Sequence, residues 1–143
     1  MDLPLPVASI FLRALNARGL LRASRSGRCV HYRVSPDRSV HGAVALIAAL
    51  ADTFANERRP VQVAFHLLTG FTHPRRLTIV QALWHRRLSR PLLRAATGIS
   101  TDALNRHLAK LLSRGLVSFA DGIYSSASPK ICLAATLLKL ARE

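Results

Sequence analysis

Side chains that can hydrogen-bond to nucleotides occur at helical spacing in residues 101–114. Leu104, Leu108 and Leu111 repeat every three or four residues, which predicts a helix with these leucines on its inner side. The outer side of this helix then presents four polar or charged residues, Asp102, Asn105, Arg106 and Lys110. An amide can pair with adenine and a guanidinium with guanine or a phosphate, so this pattern indicates nucleic-acid chemistry.

The charge of the whole chain favours the same kind of partner. Its 143 residues include 21 Lys and Arg against 7 Asp and Glu, a formal net charge of +14. Such an excess of positive charge points to a polyanionic partner. Four arginines precede the predicted helix in the chain, at Arg86, Arg87, Arg90 and Arg94.

Catalytic and metal chemistry find little support in the residue types and their spacing. Cys29 lies close to His31, but Asp37, the nearest carboxylate, comes after the predicted hairpin, so no oriented nucleophile is indicated. The chain has no paired carboxylates and no glycine-rich phosphate loop. Its six histidines lack ligand spacing, and Cys29 and Cys132 form no Cys-x-x-Cys motif. We therefore expect no enzyme activity, no metal and no cofactor.

Membrane insertion is also not indicated. The longest apolar run, residues 43–51, is much shorter than the roughly 20 residues that a bilayer span needs. Residues 1–12 contain no Lys or Arg, which fits neither a secretory signal nor a transit peptide. These features predict a cytoplasmic protein that has no membrane partner.

Three elements are predicted in the first part of the chain. Apolar periodicity indicates a helix over residues 7–17, which Gly19 ends. Residues 20–34 change to a strand-like pattern around Ser26-Gly27, which is typical of a hairpin. Ser35-Pro36 then predicts the start of a buried helix that continues to about residue 56. Its apolar stripe consists of Val40, Val44, Ile47, Ala51 and Phe54.

The second part of the chain predicts more helices and one short hairpin. Helices are expected over residues 61–68, 73–85, 89–97 and 101–114, with Gly98 in a turn and Ser100 as a cap. Asp121-Gly122 predicts a hairpin turn between residues 116–119 and 123–125. Ser128-Pro129 predicts the start of the last helix. Its inner side is expected to carry Ile131, Ala134, Leu137 and Leu138.

An internal repeat relates the two parts. With an offset of 96 residues, Leu12, Leu15, Arg18, Gly19 and Leu20 match Leu108, Leu111, Arg114, Gly115 and Leu116. A hairpin and a Ser-Pro pair follow in both copies, which favours duplication over two unrelated helix-hairpin pieces. We therefore expect a partial unit over residues 1–58 and a complete unit over 59–143. The first copy either evolved as a fragment or begins inside a longer reading frame.

The repeated segments resemble one known family. HPRRLTIVQAL at 73–83, the segment 88–100 and ALNRHLAKLLSRGLV at 103–117 resemble the arsenic-repressor (ArsR-like) family of bacterial winged-helix transcriptional regulators. FLRALNARGLL at 11–21 and GRCVHYR at 27–33 are similar to the second half of the same domain. The resemblance implies a mainly α fold with short β-hairpins. In this fold a partial and a complete winged helix-turn-helix unit follow each other in tandem. The resemblance also implies a homodimer that binds double-stranded DNA.

The resemblance implies particular contacts to DNA. In a helix-turn-helix the second helix lies in the major groove and its N-terminal side chains meet base edges. Besides Ser100, the cap, the residues at those positions are Thr101, Asp102, Asn105 and Arg106. Lys110 and Arg114 are expected to contact phosphates. The first hairpin adds four arginines, Arg22, Arg25, Arg28 and Arg33.

The two copies differ in these positions. The matching groove positions of the first copy are mostly unable to bind a base, being Pro6, Ser9, Ile10 and Arg13. The second hairpin has no Lys or Arg and carries Asp121 at its tip. Two hypotheses follow for the first copy: a basic flank for DNA, or a dimerisation scaffold.

Family members that sense metals supply a further comparison. They have a Cys-x-Cys pair in the helix matching residues 89–97, where this chain has no cysteine. The helix after the first hairpin offers only His41 and Asp52, so metal sensing is not predicted.

The alternative function is a protein-interaction module that kept the fold and lost specific DNA binding. Its basic surface would then bind an acidic protein or RNA.

Overall fold

The computed structural model describes residues 4–142, in which seven helices and five strands form. The chain divides into two compact units, Met1–Ala48 and Ala49–Glu143, and the division falls within the second helix. Within residues 4–142, no helix has both the length and the apolar character needed to pass through a bilayer.

The first unit begins with a helix and a hairpin, as predicted. Helix α1 (Leu5–Ala17) has a proline in its first turn, and strands β1 (Leu21–Ser26) and β2 (Cys29–Val34) pair antiparallel. Gly19 ends the helix region with φ +69°, and a Cβ there would lie 2.7 Å from Val40 Cγ2. Glycine therefore meets both a backbone and a packing requirement at this position.

The predicted helix start at Ser35-Pro36 is wrong. Helix α2 (Ala43–Asn56) begins eight residues later than Ser35, after Gly42 with φ +74°. The Asp37 carboxylate accepts hydrogen bonds from Ser39 N at 2.9 Å and from Ser39 Oγ at 2.7 Å. Such a local turn offers the backbone an alternative to the helix, which explains the late start.

The predicted apolar stripe of α2 is not the side of the helix that is buried within the chain. Val44, Ala51 and Phe54 are exposed, and Val40 lies outside the helix. The buried positions are instead Ala43, Ala49 and Thr53, whose hydroxyl donates to Ala49 O at 2.8 Å. A helix that is apolar nearly all round has no unique stripe in its sequence, so periodicity could not select the buried face.

The second unit contains the remaining elements. In chain order they are α3 (Pro60–Leu68), α4 (Pro74–Leu83), β3 (Leu88–Ser89), α5 (Arg90–Thr97), α6 (Thr101–Ser113), β4 (Val117–Ala120), β5 (Ile123–Ser126) and α7 (Cys132–Ala141). The strands form an antiparallel sheet in the order β3-β5-β4. Asp121 and Gly122 join β4 to β5 with φ values of 52° and 77°, which confirms the predicted turn.

Leucine and isoleucine side chains of several helices form the core of this unit. Leu104, Leu108 and Leu111 of α6 are at most 2 % exposed, which confirms their predicted inward orientation. They share the core with Ile79 of α4 and Leu93 of α5. Of the residues predicted to face inward from the last helix, Ala134, Leu137 and Leu138 are buried. Ile131 is the half-buried N-cap residue, because α7 begins at Cys132 rather than near Ser128-Pro129.

Helices α1 and α6 have the same local geometry. Each is 13 residues long, and both the first and the last residue of α6 lie 96 positions after those of α1. After α1, Leu20 N donates to Leu15 O at 3.0 Å, and after α6, Leu116 N donates to Leu111 O at 3.1 Å. The glycine before each donor has a positive φ. The repeated residues therefore close the two helices by the same hydrogen bond.

Candidate nucleic-acid interface

The turn between α5 and α6 sets the direction of α6. Gly98 ends α5 in the left-handed conformation, and its N–H donates to Arg94 O at 2.9 Å. Ile99 is buried, which anchors the turn to the core. Ser100 is the N-cap residue of α6, but its side chain makes no capping hydrogen bond, in contrast to the prediction.

One face of α6 is exposed along its first three turns. The core holds Ala103, Leu104 and Leu108, so the opposite side of the helix is free of packing in this unit. The exposed side carries the residues that the sequence predicted there: Thr101, Asp102, Asn105, Arg106 and Lys110. Asp102 lies in the first turn, where the helix dipole favours a carboxylate. The face combines hydrogen-bond donors and acceptors with two cations.

Arg114 makes hydrogen bonds within its own unit, and its phosphate contact stays a prediction. Its Nη2 donates to Thr69 Oγ1 at 3.0 Å and its Nη1 to Lys110 O at 3.2 Å. The guanidinium is therefore directed to the loop that follows α3, within its own unit. The phosphate contact was expected from the position of Arg114 at the end of the predicted DNA-facing helix, and that position does not reveal such internal acceptors.

Arg76 is a buried cation next to the same loop. Its side chain donates to Gly70 O at 2.7 Å, to Thr69 O at 2.9 Å and to Thr72 Oγ1 at 2.9 Å. Burial lowers the pKa of Arg76, and the charge of Arg114 lowers it further. Carbonyls at a helix C-terminus carry partial negative charge, so Arg76 stabilises the end of α3.

Two histidines connect α4 to the exposed helix. The ring centroids of His73 and His107 are 4.5 Å apart, and His73 Nδ1 accepts from Arg75 N at 3.1 Å. Burial lowers the pKa of His107, and His73, Arg76, Arg75 and Arg106 lower it further, in that order. The sequence showed only scattered histidines. His73 before Pro74 was a usable helix-start signal, whereas its pairing with His107 depends on tertiary structure.

The sheet of this unit contributes few charges beside α6. Tyr124 of β5 is buried, and its ring packs at a tilt against that of Phe119, with the ring centroids 4.5 Å apart. Asp121 at the tip is exposed. Besides Arg106 and Lys110 of α6, exposed cations lie on and around α4 and α5, at Arg75, Arg86, Arg87, Arg90 and Arg94.

The arginines of the β1–β2 hairpin are all exposed but do not share one face. Arg22 lies directly opposite Arg33, whereas Arg25 lies opposite Val30 and Arg28 lies in the turn. Side chains alternate between the two faces of a strand, so Arg25 points away from the face of Arg22 and Arg33. The odd and even spacing of the four arginines in the sequence already contained this division, although they were expected to act as one group.

The order of elements in the second unit decides its fold class. A helix, a short strand, two helices joined by a tight turn and a two-stranded hairpin follow one another, and the strands form one antiparallel sheet. The second unit is a winged helix-turn-helix. This winged helix has α6 in the position of the second, DNA-facing helix of the motif.

Comparisons with known proteins give matches among solved structures. No family model matches the chain, and no curated protein gives a significant match. The chain is similar to HlyU from Vibrio cholerae N16961, with 29 % identity over 58 % of this chain and 91 % of that chain and a TM-score of 0.49. It is similar to NolR from Sinorhizobium fredii, with 27 % identity over 60 % and 91 % of the two chains and the same TM-score. Reduced HlyU gives 30 % identity over 56 % and 87 %, with a TM-score of 0.45.

Within residues 4–142, no group of three or more His, Cys, Asp or Glu side chains is placed to hold a metal ion. His41, one of the two candidate ligands of the helix after the first hairpin, lies before α2 begins. Asp52 lies within α2 and accepts from the Asn56 side chain at 2.8 Å.

Proposed function

We propose that this protein is a DNA-binding transcriptional regulator of the winged-helix type, which binds the major groove with α6. The observation that supports this proposal is the exposed face of α6, where Asn105 and Arg106 lie outward from a leucine core. A major groove admits a helix, and amide and guanidinium groups can distinguish base edges there.

The side chains of α6 have different proposed roles. Asn105 pairs with adenine, and Arg106 pairs with guanine or a phosphate. Thr101, Asp102 and Ser100 lie at the helix start, where they can reach base edges. Lys110 binds a phosphate, which adds affinity without sequence preference. Arg114 is left out of this set, since its guanidinium is hydrogen-bonded to Thr69.

We further propose that the chain belongs to the ArsR-like family and that it contains two copies of the unit in tandem, the first of them partial. The motifs of residues 73–117 support the family, and the absence of cysteine from α5 separates this chain from its metal-sensing members. The common length and closure of α1 and α6 support a partial first copy. We infer a cytoplasmic protein that acts by binding rather than catalysis.

The exposed side of α3 supports a homodimer. Val61 and Phe65 lie one helical turn apart and are 65 % and 70 % exposed. Neighbouring apolar side chains of this size are typical of a protein interface, and identical subunits most often pair about a two-fold axis. Phe65→Glu is expected to give a monomer in sedimentation velocity, whereas Gln62→Glu on the same helix should leave the dimer intact. A monomeric wild type would contradict the dimer.

The second candidate function, protein interaction, is supported by α1. This helix has no buried residue, and its Ile10 and Phe11 are about 60 % exposed. A fluorescent duplex titrated with the protein at two salt concentrations separates the two functions. Binding through several phosphates weakens steeply with salt, whereas apolar docking does not. Failure to bind any duplex at low salt would contradict DNA binding.

A further inference from the structure

A small hollow with apolar walls lies between the end of α4 and helix α7. Its volume is about 270 Å³. A closed apolar cavity of roughly 150 Å³ can hold a benzene molecule, so the hollow has room for one aromatic ring with a substituent. We name it the Trp84 hollow. The residues that line it are Trp84, Ala127, Ser128, Pro129, Ala135 and Leu138, and five of these six are apolar.

Hydrogen bonds between distant residues fix the walls of the Trp84 hollow. Gln81 Nε2 of α4 donates to Ala141 O at 2.9 Å, which holds the end of α7 beside α4. Ala127 N donates to Leu116 O at 3.2 Å, which fixes the segment between β5 and α7. Leu138 is 2 % exposed, so its side chain belongs to the core of the unit. Small-molecule sites are usually formed before the ligand binds, and these contacts meet that requirement.

The charge beside the hollow is positive. The guanidinium carbon of Arg142 lies over the Trp84 ring, 5.0 Å from its centroid. A guanidinium has five N–H donors, which is enough to serve more than one acceptor, and it can bind a carboxylate through two parallel hydrogen bonds. Ser128 adds a hydroxyl donor, and no Asp or Glu is among the described residues that line the hollow. An anionic group on a bound ring would therefore find two kinds of donor.

We propose that the Trp84 hollow binds a small aromatic carboxylate, with its ring against the indole of Trp84 and its carboxylate on Arg142 and Ser128. The apolar walls and the indole favour a flat ring, since aromatic rings attract one another beyond their buried area. The guanidinium favours a negative charge over a neutral polar group. This inference goes beyond DNA binding and does not depend on it, because no residue of α6 lines the hollow.

The indole of Trp84 reports on its own site. Trp84 is the only tryptophan of the chain, so protein NMR spectra contain a single indole N–H signal. The probes are benzoate and benzamide, which have the same ring and differ in charge. Benzoate should shift this signal saturably with a Kd of about 1 mM or lower, as expected for a ligand of this size, and benzamide should bind about tenfold more weakly. No saturable shift with benzoate, or equal affinity for the two probes, would overturn the proposal.

Two substitutions with matched controls locate the binding. Ala135 is exposed on α7, so Ala135→Leu fills the hollow without disturbing the core and should weaken benzoate binding about tenfold or more. Ala109→Leu, the same change at an exposed position of α6, should remain within about threefold of the wild type. Arg142→Gln should weaken benzoate binding about tenfold and leave benzamide unchanged. Its control is Lys139→Gln, which removes the same charge from α7. An equal loss in a variant and its control would overturn the proposal.

A second copy of the chain is the competing occupant of the hollow. A Trp84 signal that shifts when the ligand-free protein is diluted would assign the hollow to a second copy and overturn the proposal. A benzoate shift that Ala135→Leu leaves unchanged would show binding at probe concentration only, which also overturns it. None of these measurements uses DNA. Their failure therefore leaves the proposed function intact, whereas a wild type that binds benzoate but no duplex overturns the proposed function alone.

Discussion

The imidazole rings of His73 and His107 lie 4.5 Å apart and join the start of α4 to the middle of α6. His73 is also the N-cap residue of α4, with its Nδ1 accepting from Arg75 N. The helix proposed to enter the major groove is therefore held against the start of α4 by a contact between two histidine rings.

Stability should fall when the pH is lowered and His107 gains a proton. The pKa of His107 is lowered from 6.5, first by burial and then by His73 and the nearby arginines. The unfolded chain therefore binds the proton more readily, so the free energy of unfolding decreases as pH falls below about 7 through the ordinary histidine range. Urea unfolding at pH 7.5 and 5.5 should show a smaller decrease for His107→Gln than for the wild type. An equal decrease in both would assign the effect to other groups.

The leucines behind α6 should dominate the stability of the second unit. Leu104 is fully buried, so Leu104→Ala removes apolar contacts and leaves a cavity at a cost of about 2–5 kcal/mol. Leu92→Ala is the matched control, because Leu92 is 57 % exposed and should change the free energy of unfolding by less than about 0.5 kcal/mol. Equal effects in urea titrations would contradict the described packing of α6.

Arg76 should matter more for stability than the arginine beside it. Arg76→Met removes three hydrogen bonds and leaves Gly70 O and Thr69 O without this donor. Hydrogen bonds to a charged group contribute about 1.5–3 kcal/mol, so we expect a loss of at least that size. Arg75→Met, at an exposed position, is the control and should cost less than about 0.5 kcal/mol. Thermal unfolding of the two variants at similar temperatures would show that Arg76 is not a helix cap.

Two residues on the exposed face of α6 should affect binding differently. Asn105→Ala is expected to relax preference at one base pair, with a loss of about 1–3 kcal/mol for the preferred duplex alone. Lys110→Ala should weaken binding to all duplexes alike and lower the salt slope by about one. Fluorescence anisotropy with the preferred duplex and a scrambled duplex checks both. A uniform loss for Asn105→Ala would assign this side chain to the backbone.

Elements with strong local signals could be predicted from the sequence. The leucine spacing of α6 set its buried face, and Asp121-Gly122 set the hairpin turn. Their signals arise from neighbouring residues, so no tertiary information was needed. The exposed face of α6 followed from the same spacing.

Other features depended on interactions that a linear pattern does not contain. Ser35-Pro36 suggested a helix start, but the Asp37–Ser39 turn occupied those residues. The two-residue strand β3 was too short to show periodicity and forms because β5 pairs with it. Arg114 had the charge of a phosphate contact, but Thr69, 45 residues away in the chain, provides its acceptor.

Selection of bound duplexes from a random pool tests the central claim most directly, because it measures sequence preference without assuming a target. We predict that the wild type enriches a defined motif, and that Asn105→Ala/Arg106→Ala, with both substitutions on the exposed face of α6, loses preference at adjacent positions of that motif. Enrichment of no motif by the wild type, or of an identical motif by the variant, would contradict recognition of DNA by α6.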